Sequence, residues 1–354
     1  MSKDPVTWFV ERAIEYTFAS FSSWANFSSA MGQVPEILTD FDSVMAWPYL
    51  VANFAIAFGI FALARSGKTT SAQSFLMFVF PRHVYRHPSA VLDYWFYAIS
   101  IFIKVLFLAP IMIGIAMLGD KATMAVATGL SWKSPTTVQP SCLIGAAFGF
   151  FLLYDLMNFL VHYLCHKIPM LWSFHVVHHS AEVLTPITAH RTHPVEHLAT
   201  AVFQAPVAGL ATIFYQALST DDRELMMIFG VSMSTFLFAL SGRHLRHSHI
   251  WLSYGPVFSW LFISPAQHQI HHSIDPRHRD MNFGARLAVW DALFGTLYVP
   301  REPETLQVGL PDADPQQFST VCKLYFLPFK KSVKECISLA RKLLPAGLSQ
   351  ERCR

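Results

Sequence analysis

Long apolar runs separated by short charged stretches dominate this chain. Pro48 to Ala64 is one run, Tyr94 to Leu118 a second and Cys142 to Leu164 a third. A helix needs about 20 predominantly apolar residues to cross about 30 Å of hydrocarbon, and these runs are of that order. Lys104 interrupts the second run, where its long side chain is expected to snorkel or to pair. Thr200 to Leu218 and Leu225 to Leu240 flank the acidic turn Asp221, Asp222, Arg223, Glu224 and read as a helical hairpin that spans or partly inserts. Residues 6–31 mix Trp8, Phe9, Phe18 and Trp24 with polar positions, the pattern of an interfacial or packing helix. The expected fold class is an all-α membrane protein with about four to five transmembrane helices.

Composition sharpens this reading. Hydrophobic residues make up 53% of the chain and charged residues 14%, against about 25% charge in ordinary soluble domains. The net charge of +3 is too small to point to nucleic acid. Its distribution is more informative. Arg65, Lys68, Arg82 and Arg86 fall in one loop, and Lys330, Lys331, Lys334, Arg341 and Lys342 in the tail; both are expected on the cytoplasmic side. Glu36, Asp40 and Asp42 precede the first run and are expected outside. Threading the spans in order puts everything after Leu164 in a cytoplasmic helical cap. Five cysteines show no paired spacing, so disulfides are not expected. The start of the chain lacks the basic and short apolar regions of a cleaved signal peptide. Three regions follow: residues 1–141 as an N-terminal anchor with two spans, 142–300 as the catalytic domain, and 301–354 as a Pro-rich linker with a basic amphipathic helix near 328–344. The bland role for that helix is to rest on anionic lipid.

The candidate chemistry lies in histidine. His175, His178, His179 and, ninety-three residues on, His268, His271, His272 repeat one pattern, His-x-x-His-His. Positions i, i+3 and i+4 share a helix face, so each triplet can aim three imidazoles at one point. His162 and His166 lie i, i+4 at the end of the third run, and His244 and His247 lie i, i+3 after the hairpin. These ten imidazoles exceed what one metal needs and suit two. Imidazole alone does not name the metal. The clusters hold no thiolate, and no His-Glu-x-x-His of a zinc hydrolase is present. Two irons working with O2 as co-substrate fit this donor set better.

A metal-bound imidazole usually gives its other N–H to a carboxylate or carbonyl. Asp155, seven residues before His162, and Asp291, after the last cluster, are the candidate catalytic carboxylates for that task. Helix capping is the ordinary role for Asp291. His190, Arg191, His193 and Glu196 form a further polar group that reads as a structural strap supporting the ligands, with His190 a further candidate donor. His249 reads as surface or supporting, and His83 and His87 as head-group contacts in a basic loop.

These residues resemble the fatty acid hydroxylase / sterol desaturase superfamily of integral-membrane diiron oxygenases. The resemblance covers about residues 142–300. It rests on Asp155-x6-His162-x3-His166, Trp172-x-Phe174-His175-x2-His178-His179, Arg191-x-His193-Pro194-x-Glu196, His247-Ser248-His249, Ser264-Pro265-x2-His268-x2-His271-His272 and Trp290-Asp291-x2-Phe294-Gly295-Thr296. It implies that His162, His166, His175, His178, His179, His247, His268, His271 and His272 are ligands. It also implies O2-dependent hydroxylation or desaturation of a sterol, fatty acyl or ether lipid. Electrons would come from a separate redox protein such as a ferredoxin or cytochrome b5, because no fused His-Pro-Gly-Gly heme motif occurs. The chain departs from the family pattern at Phe159, where Tyr is frequent, at Tyr163, where Arg is frequent, and at His249, where Asn is frequent. A membrane metal transporter with histidine-rich cytoplasmic loops and a non-catalytic lipid-binding scaffold are the competing classes. The first is disfavoured because the clusters sit at span ends rather than mid-membrane.

Overall fold

The computed structural model describes residues 11, 14–15, 17–39, 47–66, 74–131, 139–216, 231–311 and 316–343. The acidic turn at 221–224, Asp40, Asp42 and Lys68 lie outside the described residues. Among those described, the chain is helical, with only isolated bridges at Phe262–Leu287 and Ser273–Val308.

The apolar runs become helices α1 (Trp24–Thr39), α2 (Trp47–Ser66), α3 (Pro88–Ile103) and α4 (Ala109–Gly129). A π-helical turn, Lys104–Leu108, joins α3 to α4 at the one charged position in that run. Next come α5 (Pro140–Lys167), α6 (Pro169–His179), α7 (Pro194–Gln216) and α8 (Val231–Leu240). Four stretches are long and apolar enough to cross a membrane: Trp47–Ser66, Pro88–Gly129, Cys142–Lys167 and Pro194–Phe214. Between α4 and α7 the backbones approach closely. A Cβ on Gly119 would lie 2.9 Å from that of Ala205, and one on Gly209 would collide with the Thr123 hydroxyl. Small residues four apart on both helices permit this contact, as is usual where apolar burial cannot drive helix association.

The cap grows from the ends of α5, α7 and α8. Pro169 has no N–H to continue α5, so the chain turns at Ile168 and restarts as α6 with proline at its first position. Gly242, at φ 105°, ends α8 and turns the chain into the 3₁₀ segment Arg243–His247. Any other residue there would need the left-handed region, and its Cβ would press on the Leu252 side chain at 2.8 Å. Helix α9 (Pro265–His271) starts on a capping box. Ser264 Oγ accepts the Gln267 N–H at 3.3 Å, and Gln267 Oε1 accepts the Ser264 N–H at 2.9 Å.

A buried ion pair ties cap to membrane helices. Arg191 donates to Asp93 of α3 at 2.7 Å, to Ser180 Oγ at 2.7 Å and to the Val177 carbonyl at 2.9 Å; Thr188 donates to the other Asp93 oxygen at 2.7 Å. Arg191 thus joins the end of α6 to α3. The last helix, α10 (Val321–Leu343), begins seven residues before the expected 328 and is not only a surface element. Leu324 is fully buried with Phe96, Val176 and Val177, and Tyr325 stacks on Phe96 at 4.5 Å. The exposed remainder carries the expected basic residues.

Candidate metal centre

Nine of the ten candidate histidines converge as two groups. His162 and His166 from α5, His175 and His179 from α6, and His271 from α9 form one; His178, His247, His268 and His272 form the other, and within each the donor atoms lie within 4.8 Å of one another. The triplets work as helical spacing requires. Each splits, so that α6 sends His175 and His179 to the first group and His178 to the second, while α9 and its cap send His271 to the first and His268 and His272 to the second. The two groups therefore share both helices, and His179 stacks on His272 at 4.7 Å between them.

The ring nitrogens show which form each imidazole takes. His162 donates Nδ1–H to the Phe283 carbonyl at 2.8 Å, and His271 donates Nδ1–H to the Met281 carbonyl at 2.8 Å. A carbonyl only accepts, so Nε2 of each ring is a bare lone pair. Both Nε2 atoms are buried without a partner. His175 gives Nδ1–H to Glu196 at 2.9 Å, and its Nε2 faces that of His179 at 3.2 Å, which in turn is 3.2 Å from that of His166. In the second group His247 Nε2 is 3.2 Å from His178, 3.1 Å from His268 and 3.2 Å from His272. Four or five lone pairs aimed at one point repel unless a cation sits among them. Metal–nitrogen bonds of about 2.0–2.1 Å place neighbouring donors about 3.0–3.4 Å apart, so these spacings fit a metal at each group. Protons do not compete well. Burial holds His179, His247, His268, His271 and His272 well below the ordinary histidine range, with neighbouring imidazoles adding to it, and His178 falls to about 3 through burial and then His175.

The supporting carboxylates differ from expectation. Neither Asp155 nor Asp291 touches a histidine ring. Asp155 accepts from the Leu287 N–H at 3.0 Å and Trp290 Nε1–H at 3.1 Å, with Arg286 at 3.5 Å. Asp291 accepts from the N–H of Phe283 at 2.7 Å, that of Gly284 at 2.8 Å and the Thr296 hydroxyl at 2.7 Å. Together they clamp loop 281–290, whose carbonyls orient His162 and His271. The physical reason is reach: seven residues along a helix is about 10 Å, too far for Asp155 to meet His162. Asp280 lies 3.4 Å from His166 Nδ1, a neighbour the pattern did not reveal, held at φ 60° beside Asn282 at φ 59°. Backbone carbonyl partners leave no mark in a sequence, so Phe283 and Met281 were invisible in it.

Other expectations need correction. His244 belongs to neither group; its N–H binds Asn53 and its ring lines a cavity beside the ligands. On a 3₁₀ turn i and i+3 share a face, yet only His247 joins a group, and His244 stays at the cavity wall. His190 stacks on Tyr97 at 4.5 Å and is not among the converging donors. His249 meets the Phe78 carbonyl at 2.7 Å, away from both groups. His193 donates to the Tyr325 carbonyl at 3.0 Å and so anchors α10 rather than a ligand. Of that polar cluster, the Glu196 carboxylate holds the His175 ring, and the Arg191 backbone lies against His178.

Residues 147–296 match the family described as fatty acid hydroxylase. Among curated proteins, the chain is 26% identical over 208 residues to an alkylglycerol monooxygenase of Xenopus tropicalis, covering 59% of this chain and 38% of the relative. It is 28% identical over 209 residues to an ornithine lipid hydroxylase of Rhizobium tropici, covering 55% of this chain and 56% of the relative. It is 25% identical over 173 residues to the human alkylglycerol monooxygenase, covering 49% of this chain and 33% of the relative. The chain thus spans about half or less of the length of these relatives. No solved structure matches it. The segment that matches this family contains every converging histidine.

Proposed function

We propose that this chain is a membrane-bound, non-heme diiron oxidoreductase that hydroxylates a C–H bond of a lipid with O2. The observation that carries the reading is the pair of converging imidazole groups, five and four strong, with no thiolate or carboxylate among them. An all-nitrogen set suits iron, and both groups fall short of six donors. Bound iron would supply O2 activation and C–H oxidation at this site. The protein's part is placement. Glu196 fixes the His175 ring, and the 281 and 283 carbonyls fix His271 and His162. A cavity touches His162, His175 and His178 together with His247 and His268, so a guest there meets both groups.

In this reading residues 1–141 anchor the domain, 142–300 carry the chemistry and 301–354 form a Pro-rich linker with a basic amphipathic helix. The basic loop and tail support a cytoplasmic position for the histidines, where a separate redox protein would supply electrons. Lipid reaches the cavity from the bilayer. The names of the relatives, alkylglycerol monooxygenase and ornithine lipid hydroxylase, support a lipid substrate and hydroxylation over desaturation.

The test compares lipid extracts of cells with and without the gene. A gene-dependent gain of one oxygen atom in a lipid class, lost in His175→Ala and His268→Ala, is the expected result. Its persistence in both variants overturns the proposal. Iron at two per chain in the purified protein supports the same site; tightly held zinc with transport in vesicles supports a transporter instead.

A further inference from the structure

The cavity beside the converging histidines has an unbalanced wall. Its volume is 210 Å³, below the about 300–1,000 Å³ of pockets that enclose a whole drug-sized ligand. It therefore suits one end of a lipid rather than all of it. Its floor is ligand rings from both groups; its side is Thr192, Arg243, His244 and Arg246. Arg246 is committed elsewhere, donating to the carbonyls of Ala285 at 2.7 Å and Ile263 at 2.8 Å with Phe238 4.3 Å from its carbon. Arg243 differs: among the described residues its guanidinium makes no hydrogen bond or ion pair with a carboxylate.

The charged neighbour that acts on Arg243 is another cation. Burial and then Arg286 lower it to about 10, with a smaller opposing effect from Tyr49. Arg286 is itself paired with Asp155 at 3.5 Å. Lys104, at the π-helical turn, lies within electrostatic range of His190 and His197, and Arg243 within range of His190. The acid on the cavity wall is Glu196, and its Oε2 holds His175. A guanidinium set in such a wall without a counter-charge is costly, and a guest anion would relieve that cost. The depth agrees. The cavity sits where the candidate span Cys142–Lys167 ends and Pro194–Phe214 begins, at the level of lipid head groups rather than chain ends.

We infer that this cavity takes the anionic oxygen end of the lipid substrate, a phosphate or carboxylate, on Arg243, so that the carbon presented to the histidine floor is one close to the head group. The inference rests on the lipid-hydroxylase reading for its chemistry but not for its binding. The experiment uses the full chain purified in neutral detergent, with binding followed by native mass spectrometry. Probes are dilauroyl phosphatidic acid against dilauroylglycerol, and lauric acid against lauryl alcohol, which separate phosphate from carboxylate. The wild type is expected to favour one or both acids over the matched neutral lipid by about tenfold or more. Arg243→Gln is expected to abolish that preference and leave neutral-lipid binding unchanged, while Arg243→Lys restores part of it. Arg277→Gln, on the exposed surface, controls for general charge and is expected to keep the full preference. Equal binding of acid and neutral probes by the wild type, or an unchanged preference in Arg243→Gln, overturns the inference. Absence of any oxygenated product with the preference intact removes the hydroxylase reading and leaves the anion site standing.

Discussion

Asp291 is where the folding and metal-holding roles of one side chain separate most clearly. Asp291→Ala strands the Phe283 and Gly284 N–H groups in a closed interior, since Asp291 is fully buried. Each stranded donor costs about 1–3 kcal/mol, or about 2–6 kcal/mol for the pair. The change also removes a buried charge. Burial pushes the Asp291 carboxyl up to about 6, and relief of that penalty returns about 3 kcal/mol at neutral pH. The two effects oppose each other, so the net change in stability is expected to be modest, from a gain of about 1 to a loss of about 3 kcal/mol. Metal retention has no such offset. Without Asp291 the Phe283 carbonyl is no longer fixed, and His162 loses the acceptor that sets its Nε2. Partners of this kind are worth about 10–100-fold in metal affinity. The assay is iron loss from the purified, iron-loaded protein to a competing chelator, beside thermal unfolding in the same detergent. Asp291→Asn keeps one acceptor and turns an N–H toward the other donor, so it is expected to fall between. Iron loss at the wild-type rate in Asp291→Ala would refute the argument that the clamp acts through loop 281–290.

Further expectations concern packing, charge and pH. Gly209→Val places methyl groups against Thr123 and the Gly119 carbonyl, and is expected to lower stability by about 1–3 kcal/mol, whereas Gly59→Ala, with open space around it, stays near wild type in thermal unfolding. Arg191→Met leaves Asp93 buried and unpaired and is expected to cost about 3–5 kcal/mol; the double variant with Asp93→Leu is expected to recover much of that in the same measurement. Acid should open the metal centre. Histidines whose folded value is depressed, such as His178 at about 3, contribute stability that is complete above about 6.5 and is lost as pH falls from there toward 3, at about 1.4 kcal/mol per unit for each ring. Metal content after equilibration at graded pH is therefore expected to fall steeply below about 6.5, and a flat profile to pH 4 would contradict the assignment of neutral rings.

Much of the architecture was legible because its physics is periodic. Apolar runs announce membrane-crossing length, and the i, i+3, i+4 spacing of histidine announces a shared face. That spacing leaves open how each triplet divides between two groups, which depends on where the facing helix lies. What stayed hidden has no periodic signature. His244 and His247 look equivalent in sequence, and only the turn after Gly242 decides which ring advances. Asp155 lies on the right face of its helix but two turns from His162, so alignment along a face overstated its reach. Glu196 could be grouped with its neighbours but not matched to His175, since that contact depends on how α7 meets α6.

The loop fastened by Asp155 and Asp291 has a consequence for how the protein is made. One of its carbonyls holds a ring, His162, that the ribosome releases far earlier, and of its two fasteners Asp291 arrives only after the loop itself. Until that final stretch emerges, the earlier rings lack the groups that aim them, so iron delivered during synthesis finds no finished cage. Cells short of iron are then expected to accumulate a full-length chain whose crowded, neutral rings push apart, and quality-control proteases would meet it as a loosely closed lid on an otherwise inserted membrane body.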